Sequence, residues 1–215
     1  MMNSKEFRAS PELLRNAYPV SPIAQMPLIQ REPLQNIESM LSIHDVHPND
    51  NRAKQAQFLV HFFKNDNRFA YLYERPYSKT VTTKLKQLAQ YSAVCTPDFS
   101  LYPEMPEPIG KMQIFKSRWC GAHWQAEGLR VFPTVTWADK PSFGYCFDGI
   151  PEHSVVVVST LGCNGFKAEF LAGYERMLEV LVPQTIICYG KPFDEMRENN
   201  IICFPYAAFR KGEST

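Results

Sequence analysis

Hydrophobic positions in this chain have no rhythm at first. Pro11, Pro19, Pro22, Pro27 and Pro33 recur too densely for a long helix. Residues 1–33 therefore read as a Pro-rich arm that lies over a domain or leads into it. Regular text starts at Leu34, and residues 34–215 read as a single domain. Ile37, Met40, Leu41 and Ile43 are apolar ahead of the turn-like HDVHPND, and Gln55–Phe63 fits either a helix or the start of a strand. Phe69, Tyr71 and Tyr73 alternate as a strand does. Ser78 stands where an N-cap belongs for a helix through Thr82–Tyr91, with Val81, Leu85 and Leu88 at helical spacing.

The rest of the chain alternates more plainly. Ala93–Thr96 is a short apolar run. Met112, Phe115, Trp119, Ala122 and Ala126 mark a helix face that Gly128 ends. Leu129–Trp137 and Ser154–Ser159 read as strands. Phe166, Phe170, Tyr174, Met177, Leu178 and Leu181 then keep helical spacing up to Pro183. A strand from Thr185 to Tyr189, a short helix near Phe193–Glu198 and a last strand, Ile201–Phe204, complete the series. Continuous apolar strands alternating with helices predict an α/β fold. Its sheet is expected to be mostly parallel with helices on both faces, as an open doubly wound sheet or a partial barrel.

Composition narrows the class further. With 45% hydrophobic and 21% charged residues over 215 positions, the chain is long enough to bury a core without metal or disulfide. A net charge of +1 argues against a generic duplex-DNA coat or a polybasic membrane binder. No apolar run approaches the roughly 18 residues of a membrane span, and the start MMNSKEFRASPELLRN lacks the apolar core of a secretory signal. The expected setting is the cytoplasm, without membrane contact. The six cysteines never form Cys-x-x-Cys or a zinc-like cluster and read as reduced, mostly buried thiols; Cys95, Cys188 and Cys203 lie inside apolar runs.

Candidate chemistry follows from the fold class. In parallel α/β sheets ligands bind outside the carboxyl ends of the strands, where the strand-to-helix loops gather. The residues that follow each expected strand are Asp98, Ser100 and Tyr102; Thr134, Thr136, Trp137 and Asp139; Ser159 and Thr160 with the loop to Gly165; and Tyr189, Gly190 and Lys191. Asp98, as a base or metal anchor, and Ser100 are the catalytic candidates. The loop STLGCNG, residues 159–165, joins a strand to a helix, and Gly162 and Gly165 would let a phosphate approach free N–H groups there. It is neither a Walker A motif nor a Gly-x-Gly-x-x-Gly fingerprint. Cys163 in that loop stands where a helix start would lower a thiol pKa. Arg118 and Lys191 are the anion contacts, and Trp137 a stacking wall. His44, Asp45, His47 and Asp50 read as a polar turn, and no metal site is assigned.

The segments PDFSLYPEMP at 97–106, SRWCGAHWQAEGLRVFPTVTW at 117–137, SFGYCFDGIPEHSVVVVSTLG at 142–162 and GYERMLEVLVPQTIICYGK at 173–191 resemble a family of uncharacterised proteins of bacteriophages, plasmids and other bacterial mobile elements. The likeness covers roughly residues 60–205 and leaves the Pro-rich arm outside. It implies a mobile-element origin and supports treating Asp98, Ser100, Arg118, Trp137, Ser159 and Tyr189 as a linked set, without an activity to carry over.

The expected function is binding or processing of a nucleotide or other phosphorylated small ligand at the strand ends. The ligand-binding set is Arg118, Thr136, Trp137, Ser159, Thr160, Gly162, Gly165, Tyr189 and Lys191. Whether the chain is an enzyme, and with which cofactor, stays open. The alternatives are a non-enzymatic nucleic-acid-binding replication accessory, using Arg118, Trp124 and nearby lysines, and an inhibitor of a host defence protein that makes contact through the arm.

Overall fold

The computed structural model describes residues 17–206 apart from 35, 49, 52–54 and 197–199. Residues 1–16 of the arm, the segment 207–215 and the end of the helix expected near Phe193–Glu198 lie outside the described residues. Seven strands run parallel: β1 Ser39–Ser42, β2 Phe58–His61, β3 Ala93–Cys95, β4 Val131–Phe132, β5 Val155–Ser159, β6 Thr185–Tyr189 and β7 Ile201–Phe204. One ladder joins β1-β2-β3-β4 and another β5-β6-β7. The two meet just past β4, where Thr134 bridges Val157 in parallel. There Val157 N donates to Pro133 O at 2.9 Å and Val135 N to Val157 O at 2.8 Å. Each strand thus lies beside the next one in sequence.

Such a winding order suits a curled sheet, and two rings demonstrate the curl. His61 at the end of β2 lies 4.2 Å, centroid to centroid, from Tyr189 at the end of β6. Phe63 stacks on the same Tyr189 ring at 5.4 Å. Strands four places apart in a flat sheet would be separated by about 19 Å. Of the two expected forms, the sheet takes the partial barrel. Burial pushes His61 down to about 3, so its ring is neutral, and its Nδ1 accepts from Phe63 N at 3.2 Å.

The two-residue period of the strands sorts side chains onto the two faces. Val155, Val157, Ile187 and Tyr189 join one core with Leu59 of β2. Val156, Val158, Ile186 and Cys188 join another with Phe170, Tyr174, Met177 and Leu181. Those four belong to helix Lys167–Leu181, the last of the four α-helices among the described residues. The others are α1 Tyr71–Glu74, α2 Lys79–Leu88 and α3 Glu107–Ala126, which makes the last one α4. Ser78 caps α2 as expected, its Oγ accepting from Val81 N at 3.2 Å, and Val81, Leu85 and Leu88 are buried. Helix α3 is buried continuously from Ser117 to Trp124.

Some local expectations fail for visible reasons. The alternation at Phe69–Tyr73 is not a strand but a 3-10 turn, Asp66–Arg68, leading into α1. Phe69, Leu72 and Tyr73 are the buried positions, and their spacing of three and four is helical. Met112 is exposed rather than part of the buried face of α3. The strand expected over Leu129–Trp137 is regular only at Val131–Phe132, because Pro133 cannot donate to a ladder. Cys203 is exposed on the edge strand β7 instead of buried, and all six cysteines are free thiols.

The described part of the Pro-rich arm packs on the domain. Met26 and Ile29 are buried, and Ile29 lies in the space a side chain at Gly121 of α3 would need. Ser21 Oγ and Ala24 N donate to the Asp148 carboxylate. Ile29 N donates to Gly149 O at 3.0 Å, and Gln30 and Gln125 bond each other reciprocally. No described helix is long and apolar enough to cross a membrane.

Candidate functional site

Parallel strands deliver all their following loops to one end, and a recess of about 370 Å³ opens there. Phe63, Lys64 and Asn65 reach it from β2, and Asp98, Ser100, Leu101 and Tyr102 from β3. The chain after β4 supplies Val135, Thr136 and Trp137. Ser159, Leu161 and Cys163 come from the end of β5 and its loop, and Phe170 from α4.

Asp98 is the group whose chemistry stands out. Burial pushes its carboxyl up to about 6, against the opposing pull of a hydrogen bond from Thr136 and with help from the nearby Asp66 charge. Thr136 Oγ1 donates to Asp98 Oδ1. The carboxylate shows part of its surface to the recess while most of its surroundings are protein. Next to it Ser100 is held rigidly: its N and Oγ both donate to Asp66, Oγ at 2.8 Å from Oδ1. Gln113 of α3 donates at 3.3 Å to both Asp66 Oδ2 and Ser100 O. Lys116 donates in turn to Gln113 Oε1 at 2.9 Å.

The aromatic wall has an equally local cause. Trp137 lies across α4 where Gly173 has no side chain, and it packs against Phe147 and Phe170. Ser159 Oγ donates to Tyr189 O at 3.2 Å and accepts from Leu161 N at 3.1 Å. Cys163 departs from expectation. It opens a 3-10 turn one turn ahead of α4, and burial pushes its thiol up, with Asp98 adding to the effect.

Asp98, Ser100, Tyr102, Thr136, Trp137, Ser159 and Cys163 therefore share one recess, and Arg118, Thr160, Gly162, Gly165, Tyr189 and Lys191 do not join them. Thr160 and Lys191 line a separate recess of about 230 Å³ on the other side of the 159–165 loop, beside Lys167 and Tyr206. Lys167 there pairs with Glu195 at 2.8 Å. Gly162, in the left-handed region at φ 77, and Gly165 have open space where a side chain would be. The Tyr189 ring turns inward to His61 and Phe63. Arg118 is 0% exposed. Its guanidinium donates to three main-chain carbonyls, Asp148 O and Thr134 O at 3.1 Å and Cys146 O at 2.7 Å. The expected convergence of Asp98, Arg118 and Lys191 is thus replaced by Asp98 alone. The reason is that Arg118 lies on the inward face of α3, where loop carbonyls lacking ladder partners take up its donors. Trp124 is equally buried, so neither it nor Arg118 is placed to touch a nucleic acid.

Nothing in the sequence pattern singled out Lys64, Asn65 or Asp66. The strand-end rule that found Asp98 would have found them too, had Phe58–His61 been read as a strand. At HDVH, Asp50 accepts from Tyr91 OH and His47 N, as a polar turn does. Among the described residues no group of three or more His, Cys, Asp or Glu could hold a metal.

Two mycobacteriophage proteins are similar in sequence. The Gene 1 protein of Mycobacterium phage D29 is 32% identical over 181 residues, which is 83% of this chain and 64% of that protein. The Gene 1 protein of Mycobacterium phage L5 is 38% identical over 135 residues, 61% of this chain and 57% of that protein. The chain thus spans less than two thirds of either relative. No solved structure matches it. A family model matches residues 19–207, so family membership takes in residues 19–33 of the arm that the sequence resemblance had left outside. The chain belongs to the family described as Domain of unknown function (DUF4417), with phage proteins among its relatives.

Proposed function

We propose that this protein, of phage or other mobile-element origin and working in the host cytoplasm, binds and through Asp98 processes a nucleotide or other phosphorylated small molecule. The ligand sits in the recess at the carboxyl ends of β2 to β5. The observation that carries this reading is the Asp98 carboxyl. A group held near neutrality can take up and release a proton at working pH, and such groups concentrate where proton transfer is needed. The volume of about 370 Å³ falls in the range of small-molecule sites. Trp137 and Phe170 supply a face for a ring. Lys64 and Asn65 supply the cation and the amide that a phosphate requires, in place of Arg118 and Lys191.

The test is retention and stabilisation. Purified protein is denatured and its released small molecules identified by mass spectrometry, and a panel of nucleoside monophosphates is screened for a rise in melting temperature. Nucleotide release, or a rise of several degrees that Lys64→Ala removes, supports the reading. No release together with no shift across the panel overturns it.

A further inference from the structure

The serine and threonine hydroxyls that line the recess each have one hydrogen to donate, and each donates it to the protein; the other lining hydroxyl, the Tyr102 phenol, is exposed. Ser100 Oγ donates to Asp66 Oδ1 at 2.8 Å, Ser159 Oγ to Tyr189 O at 3.2 Å, and Thr136 Oγ1 to Asp98 Oδ1. The direction is fixed, because a carbonyl has no hydrogen to give and neither has an ionised carboxylate, the form Asp98 takes above about pH 6. What these groups present to a ligand is lone pairs only. Asp98 adds its second oxygen, which receives no hydrogen bond from the described residues, and none of their cations pairs with the carboxylate. Among the described residues the side-chain cation of the lining is Lys64, on the β2 side.

We infer that the recess takes a nucleotide base-first and selects an amino-bearing base by its N–H donors, with the phosphate left outward at Lys64 and Asn65. This rests on the nucleotide reading above and specifies the part of the ligand that reaches Asp98. A phosphate placed against Asp98 would meet like charge and three hydroxyls with nothing to donate. An exocyclic amine beside Asp98 meets the lone pairs of its second oxygen and of the three hydroxyls. Replacing that amine by a carbonyl, as from adenine to hypoxanthine or cytosine to uracil, sets lone pair against lone pair, which a polar site rejects far more strongly than a missing methyl group. Two large side chains of the lining, Tyr102 at 63% and Leu161 at 49% exposure, have apolar surface left uncovered by the fold. A flat ring entering between them would cover it.

Calorimetric titration of the full chain with paired 5′-monophosphates decides the matter: adenosine against inosine, cytidine against uridine, guanosine against xanthosine, with ribose 5-phosphate as the ring-free probe. The amino member of at least one pair should bind about tenfold or more tightly than its oxo partner, and ribose 5-phosphate should bind far more weakly than either. Asp98→Asn, which presents an amide able to donate, should erase or reverse the preference. Equal or tighter binding of every oxo partner, ribose 5-phosphate binding as tightly as the nucleotides, or a preference unchanged in a folded Asp98→Asn chain overturns this inference while leaving nucleotide binding standing. If no member of the panel binds, the reading above falls and this inference with it. Should Asp98→Asn fail to fold, the ratios in the unsubstituted chain decide alone.

Discussion

The indole of Trp137 occupies the space into which a side chain at Gly173 would project. The wall of the candidate site therefore depends on a missing methyl group on α4. Gly173→Ala should force the indole outward and cost about 1–3 kcal/mol of stability. Urea denaturation measures the cost, and a red shift of tryptophan emission reports the displacement.

Asp98 should leave its mark on stability as well as on binding. Its carboxyl keeps a proton to about 6 in the fold but only to its ordinary 3.8 when unfolded. Protonation therefore favours the native state: the contribution is complete below about pH 4 and is lost as pH rises through 6. Asp66, Cys163 and Lys64 are the neighbouring titratable groups and remain in the variant. Asp98→Asn should thus gain on the unsubstituted chain by about 2 kcal/mol between pH 4 and pH 8. Parallel denaturation curves that stay equally spaced across that range would refute the assignment.

Arg118 should behave as a structural residue. Arg118→Met leaves the carbonyls of Thr134, Cys146 and Asp148 without their donor. The expected loss is about 3 kcal/mol or more, read as a lower denaturation midpoint. Whatever fraction stays folded should keep its ligand affinity; a specific loss of binding without loss of stability would return Arg118 to the site.

The arm should matter for folding, contrary to what its proline spacing suggests. Ile29→Ala should destabilise by about 2–5 kcal/mol, and a chain starting at Leu34 should lose at least as much because Met26 goes too. Thermal melts of the two variants check this.

Thiol labelling gives a map of the outer face. Without denaturant Cys203 should react fast and Cys163 slowly, while Cys95, Cys120, Cys146 and Cys188 react only after unfolding. Peptide mapping after timed alkylation distinguishes these classes, and a protected Cys203 would contradict its place on β7.

How much of this could be read from the residues depended on how local the cause was. Apolar runs such as Val155–Val158 and Thr185–Tyr189 marked their strands almost to the residue, because a strand buried on both faces tolerates little else. The end of the sheet that carries the site followed from parallel pairing alone, and it brought Asp98, Ser100, Thr136, Trp137 and Ser159 together. What was not legible was the direction a side chain takes from a helix. Arg118 and a surface arginine have the same letter, and only packing against three carbonyls separates them. Lys191 missed the recess by the width of one loop, which no sequence spacing encodes. The burial of Met26 and Ile29 was hidden as well, since a strap held by single anchors has no period to detect.

The winding order has a consequence for synthesis. Each strand pairs with the one made just before it, so no gap in the middle of the sheet waits for a later segment. The curled sheet grows by accretion at one edge, in the direction in which a chain leaves the ribosome. Every residue lining the recess falls between Phe63 and Phe170. The walls of the site are thus all translated before the strand whose Tyr189 ring packs against Phe63 and closes the interior behind them.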